Sequence, residues 1–401
     1  MTQTQWPAVA ARLRQGVNLS HWYSQVYVAP GYSAAHYDSY MKQSDLELIA
    51  AQGFDHVRFP IAVEHLVEAD GSRLDPEFVA RIESEIDQLH ALGLAVIVDA
   101  HPETEYKKTL ARSDEAVEQF VRMWSNLAAR FADSDPASTA FEVLNEPAIG
   151  NNARWVEVLN RGLGAIRSVA PEHTIVVSGD LYSQLPTLLE MPEPADGNLI
   201  YNIHVYDPMA LTHQGAHWAP DWAQHTRGLD YPMDLENVSA LQAATDDPDA
   251  HAALDEYATE GWDRARYESF LAPAVAWAAA RGVPLTCNEF GVYKVFAPRA
   301  ARLRWLADVT TVFVEHGIGW TVWDYAGDFG VATDEGGRRQ PDVEVLAALG
   351  LEARDQAYAA RTPHPATPGE DGDEEDHPVD VRVRRWLHRG TGPRHRLAPG
   401  R

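Results

Sequence analysis

Two short stretches end apolar runs on a carboxylate. Ala140-Phe141-Glu142-Val143-Leu144-Asn145-Glu146-Pro147 reads as a strand that delivers an amide and a carboxylate side by side at its exit, where Pro147 forbids further ladder pairing. Far downstream, Thr286-Cys287-Asn288-Glu289-Phe290-Gly291 again closes an apolar strand on a glutamate, followed by a glycine turn. Neither motif is specific alone. Together they supply what glycoside hydrolysis requires: one carboxyl group to attack or activate, and another to handle the proton of the leaving oxygen.

Those glutamates need a scaffold that brings strand ends together. Strand-like runs at 16–19, 56–59, 95–100, 174–178, 199–206 and 318–323, with the two glutamate strands, make eight. A helix-like pattern follows each. Ser44 and Glu47 read as a capping box ahead of Leu46, Leu48 and Ile49, and Asp75-Pro76 opens a helix through Phe78, Ile82, Ile86 and Leu89 that stops at Gly93. Further amphipathic stretches lie near 113–132, 153–169, 263–281 and 299–316. Near-continuous apolar strands alternating with helices predict parallel pairing, and the α/β class with a (β/α)8 TIM barrel is the economical arrangement. An open doubly wound sheet is the alternative, but the glycine-rich phosphate loop of its nucleotide-binding versions is missing after the first strand.

A single catalytic domain over 1–355 follows. The roughly seventy residues between Tyr206 and the next strand are too many for a plain connection; His213, His217, Trp218, Pro220, Trp222 and Tyr231 argue for a functional loop rather than disorder. Over 356–401 the composition changes to prolines, an acidic run from Glu370 to Asp376 and an arginine-rich end, which predicts a disordered tail.

The 401 residues carry a formal net charge of −26, which argues against nucleic acid or an anionic membrane as partner and suits a neutral carbohydrate substrate. The lone cysteine, Cys287, reads as a small core residue. Residues 1–15 hold no apolar run fit for a signal-peptide core and no stretch could span a bilayer, so the sequence as written reads as cytoplasmic unless a leader has been removed.

In a parallel barrel the strand C-termini converge on one mouth. That gathers Arg58, His101, Asn145, Glu146, His204, Tyr206, Glu289 and Trp323, with Trp22, Trp218 and His213 as further candidates to face a sugar. Each has a bland reading: a surface ion pair for Arg58, a hydrogen-bonded core residue for His101, a large apolar side chain for Trp323. Structural need does not explain so many polar groups at one end of apolar strands.

The set resembles glycoside hydrolase family 5, the cellulase family. The matching pieces are Gly16-Val17-Asn18, Val57-Arg58-Phe59-Pro60, Asp99-Ala100-His101, Asn145-Glu146-Pro147, His204-Val205-Tyr206, Asn288-Glu289-Phe290-Gly291 and Trp320-Thr321-Val322-Trp323, in order from about residue 14 to about 350. Thr212-His213-Gln214-Gly215-Ala216-His217-Trp218 is similar to a loop motif of some members. The resemblance implies an acid/base glutamate ending strand four, Glu146, a nucleophile ending strand seven, Glu289, and no metal or organic cofactor. If the two face each other at about 5 Å, the reaction retains anomeric configuration. Arg58 and the Tyr206 hydroxyl would then hold Glu289 ionised, Asn145 would bond the sugar 2-hydroxyl, His101 and His204 would fix hydroxyls or neighbours, and Trp323 would offer a flat face to the ring. Glu142, inward by alternation, needs a partner in the barrel. Glu103, Asp324 and Asp328 are loop acids.

The resemblance implies a retaining β-glycosidase on a β-linked glucan, cellulase-like, with an exo-acting enzyme on small β-glycosides as alternative. A metal-dependent barrel hydrolase would want two histidines flanking one residue after the first strand, and Asn18-Leu19-Ser20-His21 offers none. A non-catalytic carbohydrate-binding barrel would not need both glutamates together with Arg58 and Tyr206.

Overall fold

Strands buried on both faces need covering on both sides. In the computed structural model, which describes residues 7–68 and 73–351, eight of them close into one barrel in sequence order. They are β1 (Gln15–Asn18), β2 (His56–Ile61), β3 (Ala95–Ala100), β4 (Thr139–Glu142), β5 (Thr174–Ser178), β6 (Leu199–Val205), β7 (Leu285–Phe290) and β8 (Gly319–Val322). Neighbours pair in parallel, and Gln15, Gly16 and Val17 of β1 close the ring on Trp320, Thr321 and Val322 of β8. This is the expected TIM barrel. The tail expected over 356–401 lies outside the described residues.

The helices form where the apolar periodicity places them, at Pro76–Ala91, Asp114–Arg130, Asn152–Arg167, Arg264–Arg281 and Arg299–Glu315. Asp75 caps its helix by accepting from the backbone N–H groups of Glu77 and Phe78, each at 2.9 Å. The expected capping box at Ser44 and Glu47 is displaced by two residues. Gln43–Ala51 starts earlier, and the Asp45 carboxylate takes the Lys42 N–H at 2.9 Å, which puts Ser44 inside the helix.

Alternation sorts the barrel interior into layers. Ala95, Ile97, Ala140, Val176 and Ile200 form an apolar plug with Val9 and Leu13, from the 3₁₀ turn Ala8–Arg12 and the residue after it. Gly16 is required at this level, because a Cβ there would lie 2.2 Å from the His56 ring. Nearer the C-terminal mouth the inward positions turn polar: Asn18, Arg58, Asp99, Glu142, Asn202 and Asn288 are all buried. Cys287 is buried as expected.

One irregularity matters for the site. Between β6 and β7 the register slips, so that Ile203 pairs with Cys287 while His204 pairs with Glu289. The extra residue, Asn288, breaks the inward-outward alternation, so Asn288 and Glu289 both reach interior partners; re-aiming a side chain is a common use of a bulge. Asn202 Oδ1 accepts the Asn288 N–H at 2.8 Å.

The long β6–β7 connection is ordered by Met209–Thr212, the 3₁₀ turn Asp221–His225, Leu235–Ala243 and Pro248–Glu260, ahead of the Arg264–Arg281 helix. Among the described residues, no helix is long and apolar enough to cross a membrane.

Candidate active site

Arg58 on β2 is the hub of the mouth. Its guanidinium is fully buried and donates to both oxygens of Glu142 (2.8 and 2.9 Å), to Asn18 Oδ1 (3.0 Å), to Asn145 Oδ1 (2.8 Å) and to Glu289 Oε1 (2.7 Å). Asp99 Oδ2 stands 2.9 Å from Nη2. Glu142 thus finds its partner, and Asn288 Nδ2 adds a bond to it at 2.7 Å. One cation faces three carboxylates. Burial pushes the Asp99 carboxyl up to about 7, against the pull of Arg58 and Lys107, and raises Glu142 as well. Stripping one partner from a buried ion pair costs about 3–5 kcal/mol, so Arg58 clamps the barrel mouth as well as the site.

Glu289, the last residue but one of β7, has its side chain almost wholly buried. Arg58 holds one oxygen, and the Tyr206 hydroxyl donates to the other at 3.1 Å. Burial raises the Tyr206 phenol well above its usual range, so it stays a donor. Glu146 lies across the mouth, more open, with its side chain 23% exposed. Its backbone is left-handed, at φ 45°, a conformation that costs a non-glycine residue about 1–3 kcal/mol. The surroundings impose it: Asn145 N–H donates to Ala100 O at 2.8 Å, and the Asp180 carboxylate accepts from Ile149 N–H and Asn151 N–H, both at 2.8 Å. β4 ends at Glu142, so the strand expected over 140–146 ends four residues earlier and Glu146 sits on a shaped turn.

His204 joins the two acids. Its Nδ1 is 3.1 Å from Glu146 Oε1 and 3.7 Å from Glu289 Oε2. Burial pushes the ring down to about 4, which keeps it neutral near pH 7, and the oxygen neighbours assign its proton to Nδ1. Glu146, His204 and Glu289 offer ligand atoms that all lie within 4.8 Å of one another, the one such group among the described residues that could close on a metal ion.

Of the two roles expected for His101, fixing sugar hydroxyls or orienting neighbours, its contacts fit the second. Its Nδ1 faces Asp99 at 2.9 Å, and its Nε2 is met by the amides of Asn145 (3.0 Å) and Gln25 (3.2 Å). Both ring nitrogens are occupied, and burial holds the ring neutral. It orients Asn145 and stacks on Trp323, centroids 5.6 Å apart and planes 18° apart, which fixes the indole plane. His213 packs edge-on against Tyr206 and Phe329. Trp218 is 52% exposed on the rim and edges onto Tyr293.

Trp22 is a correction. It is 2% exposed, its indole N–H donates to Tyr37 O at 2.9 Å, and it packs on Tyr23 and Phe59. It has no face for a ligand. Of the loop acids, Asp324 is buried and accepts from Ser20 and Gly327 N–H, which makes it a loop anchor. Residues missed from the sequence include Gln25, Asp99 and Lys107. Lys107 is 4% exposed; burial lowers its ammonium, while Glu146, Glu289 and Asp99 pull it up. Asp99 sat inside a quoted motif without a role, whereas Gln25 lay in a loop with no periodic signal.

Residues 22–328 match the profile described as Cellulase (glycosyl hydrolase family 5). The chain belongs to this family. As a family 5 member it is a glycoside hydrolase, a cellulase-like glycosidase acting on carbohydrate. Endoglucanase C of Acetivibrio thermocellus is 27% identical over 320 residues, covering 78% of this chain and 91% of its own. Cellodextrinase A of Ruminococcus flavefaciens is 29% identical over 315 residues, covering 76% and 83%. Among solved structures, Thermotoga maritima Cel5A in complex with cellobiose, mutant form, superposes with TM-score 0.69 at 25% identity, covering 86% of this chain and 99% of that one.

Proposed function

We propose that this family 5 enzyme is a retaining endo-β-1,4-glucanase that cuts cello-oligosaccharides and glucan chains by double displacement, with Glu289 as nucleophile and Glu146 as acid/base. The observation that carries the reading is the approach of the Glu146 and Glu289 oxygens to within 4.8 Å. Retaining pairs stand about 5 Å apart, and inverting pairs about 6.5–9.5 Å, to leave room for water. The cellulose-type substrate is supported by the relatives named an endoglucanase and a cellodextrinase.

In the first step the Glu289 carboxylate bonds to the anomeric carbon. The bond to the leaving oxygen breaks, its electron pair stays on that oxygen, and the oxygen takes the proton of Glu146. His204 Nδ1–H donates to one Glu146 oxygen and leaves the other to carry the proton. Arg58 and the Tyr206 hydroxyl hold Glu289 in place for attack. In the second step Glu146, now a carboxylate, takes a proton from water. The water oxygen bonds the anomeric carbon from the vacated face, and the Glu289 ester bond breaks to return the carboxylate. Asn145, fixed by Arg58 and His101, serves the 2-hydroxyl, where a hydrogen bond strengthens as the ring flattens. Trp323 is the platform for the ring at the cleavage point, and Trp218 and His213 belong to the wall beyond it.

The test is a panel of reduced-end-labelled cello-, laminari- and manno-oligosaccharides with product sizes resolved. Internal cleavage of cellopentaose into two- and three-sugar products is the expected result. Stepwise release of single glucose units, or preference for the other two series, would overturn the endo-β-1,4 assignment.

A further inference from the structure

We propose that Gln25 is a positioning residue for the glycosidase reaction: its side-chain amide fixes the His101 ring that aims Asn145 at the sugar 2-hydroxyl. The inference rests on the proposed role of Asn145 and starts from the polarity of the hydrogen bonds around one imidazole. Arg58 has only donors to give, so the Asn145 atom that meets it at 2.8 Å is the oxygen. The Asn145 NH₂ group is therefore the one turned to His101 Nε2, at 3.0 Å. On the other side of the ring, Asp99 Oδ2 stands 2.9 Å from Arg58 and 2.9 Å from His101 Nδ1. These partners assign the proton to Nδ1 and leave Nε2 an acceptor. The Gln25 amide meets that same nitrogen at 3.2 Å, so it too donates.

Two N–H groups thus converge on one lone pair. Asn145 cannot turn its amide over without setting NH₂ against the guanidinium. A proton on Nε2 would oppose both amides rather than one, and a tilt of the ring would break two hydrogen bonds rather than one. Gln25 therefore stiffens the ring in the single state that lets Asn145 keep its orientation.

The loop after β1 is bent to deliver this amide. Gln25 lies in the left-handed region at φ 55°, as does His21 at 60°, a conformation that persists in non-glycine residues only where the surroundings over-determine it. Ser24 Oγ donates to His101 O at 2.8 Å. Gln25 O is met by His21 Nδ1 at 2.9 Å, and the His21 ring stands edge-on to Trp323, centroids 6.4 Å apart, while His101 stacks on the same indole. Through its carbonyl and its amide Gln25 thus ties together two rings that contact the Trp323 platform. Glycine would take φ 55° without strain; what it would lack is the amide. Because the 2-hydroxyl contact strengthens toward the transition state, loosening Asn145 should lower kcat and leave KM nearly unchanged.

The experiment compares an aryl β-cellobioside with its analogue lacking the 2-hydroxyl on the ring that is cleaved. In Gln25→Met, which keeps the length and removes the donor, the ratio of kcat/KM for the hydroxyl substrate to that for the deoxy analogue should fall about three- to tenfold, the range of one hydrogen bond, and the fall should lie in kcat. Gln25→Asn tolerates the left-handed backbone but is too short to reach the ring, and should show the same fall with Tm within a few degrees of the parent. Nitrogen NMR of the His101 ring should find Nε2 unprotonated in the parent and moved toward the free-imidazole position in both variants. An unchanged ratio in both variants, equal losses on the two substrates, or a proton on Nε2 in the parent overturns the assignment. If Asn145→Ala leaves the parental ratio intact, the 2-hydroxyl reading of Asn145 fails instead, and the His101 spectra still decide whether Gln25 holds the ring.

Discussion

Glu289→Gln should lower turnover of cello-oligosaccharides by about 10⁴-fold or more, because an amide cannot attack the anomeric carbon. The fold should survive: Arg58 keeps Glu142 and Asp99 as buried carboxylate partners, and the amide oxygen can still accept from Arg58. Binding of cellotetraose, measured by calorimetry on the inactive variant, should remain within about tenfold of the parent's KM, since the walls of the site are untouched. Hydrolysis at parental rates would remove Glu289 from the mechanism. Lost binding together with a lowered Tm would recast it as a structural member of the Arg58 cluster.

Glu146→Ala should separate substrates by their leaving groups. Cello-oligosaccharides depart as poor alkoxides and need the proton, so their turnover should fall by about 10²–10⁴-fold. Aryl cellobiosides bearing a dinitrophenolate leave unaided, and their first step should slow by less than about tenfold. With no carboxylate left to activate water, the glycosyl-enzyme should then accumulate, and a small anion such as azide should speed its release as the β-glycosyl azide. Equal losses on both substrate types, without azide rescue, would contradict the acid/base role. The substitution does not alter the left-handed requirement at this position, since alanine meets the same restriction there as glutamate.

What the sequence reveals about this enzyme follows from which physical signals are local. Apolar runs and capping chemistry are local, so the eight strands and the flanking helices were legible, as were both glutamates, each of which closes an apolar run. The expected polar partner of Glu142 also followed from alternation. Relations between distant residues were not legible. The β6–β7 slip that lets Asn288 and Glu289 both face inward depends on pairing with Ile203 and His204. Trp22 is silent about its environment, because a loop tryptophan has no periodicity to assign it a face, and only the fold wraps it in Tyr23, Tyr37 and Phe59. His101 is similar: Asp99 two residues away was visible, but Gln25 and Asn145, which fill its second nitrogen, come from other strands' loops. The left-handed turns at Glu146 and at Leu181-Tyr182-Ser183 carry no glycine to announce them.

The placement of two carboxyl groups on opposite flanks of one sugar is tested most directly by the configuration of the first product. Proton NMR of cellotetraose or a soluble β-glucan, followed from the first minute of reaction before mutarotation, reads the anomeric signal of the newly released reducing end. A β-anomer that later equilibrates toward α is the expected result, since two inversions restore the starting configuration. An α-anomer appearing first would mean a single displacement by water, and Glu146 and Glu289, with oxygens within 4.8 Å of one another, could not be acting as acid and nucleophile.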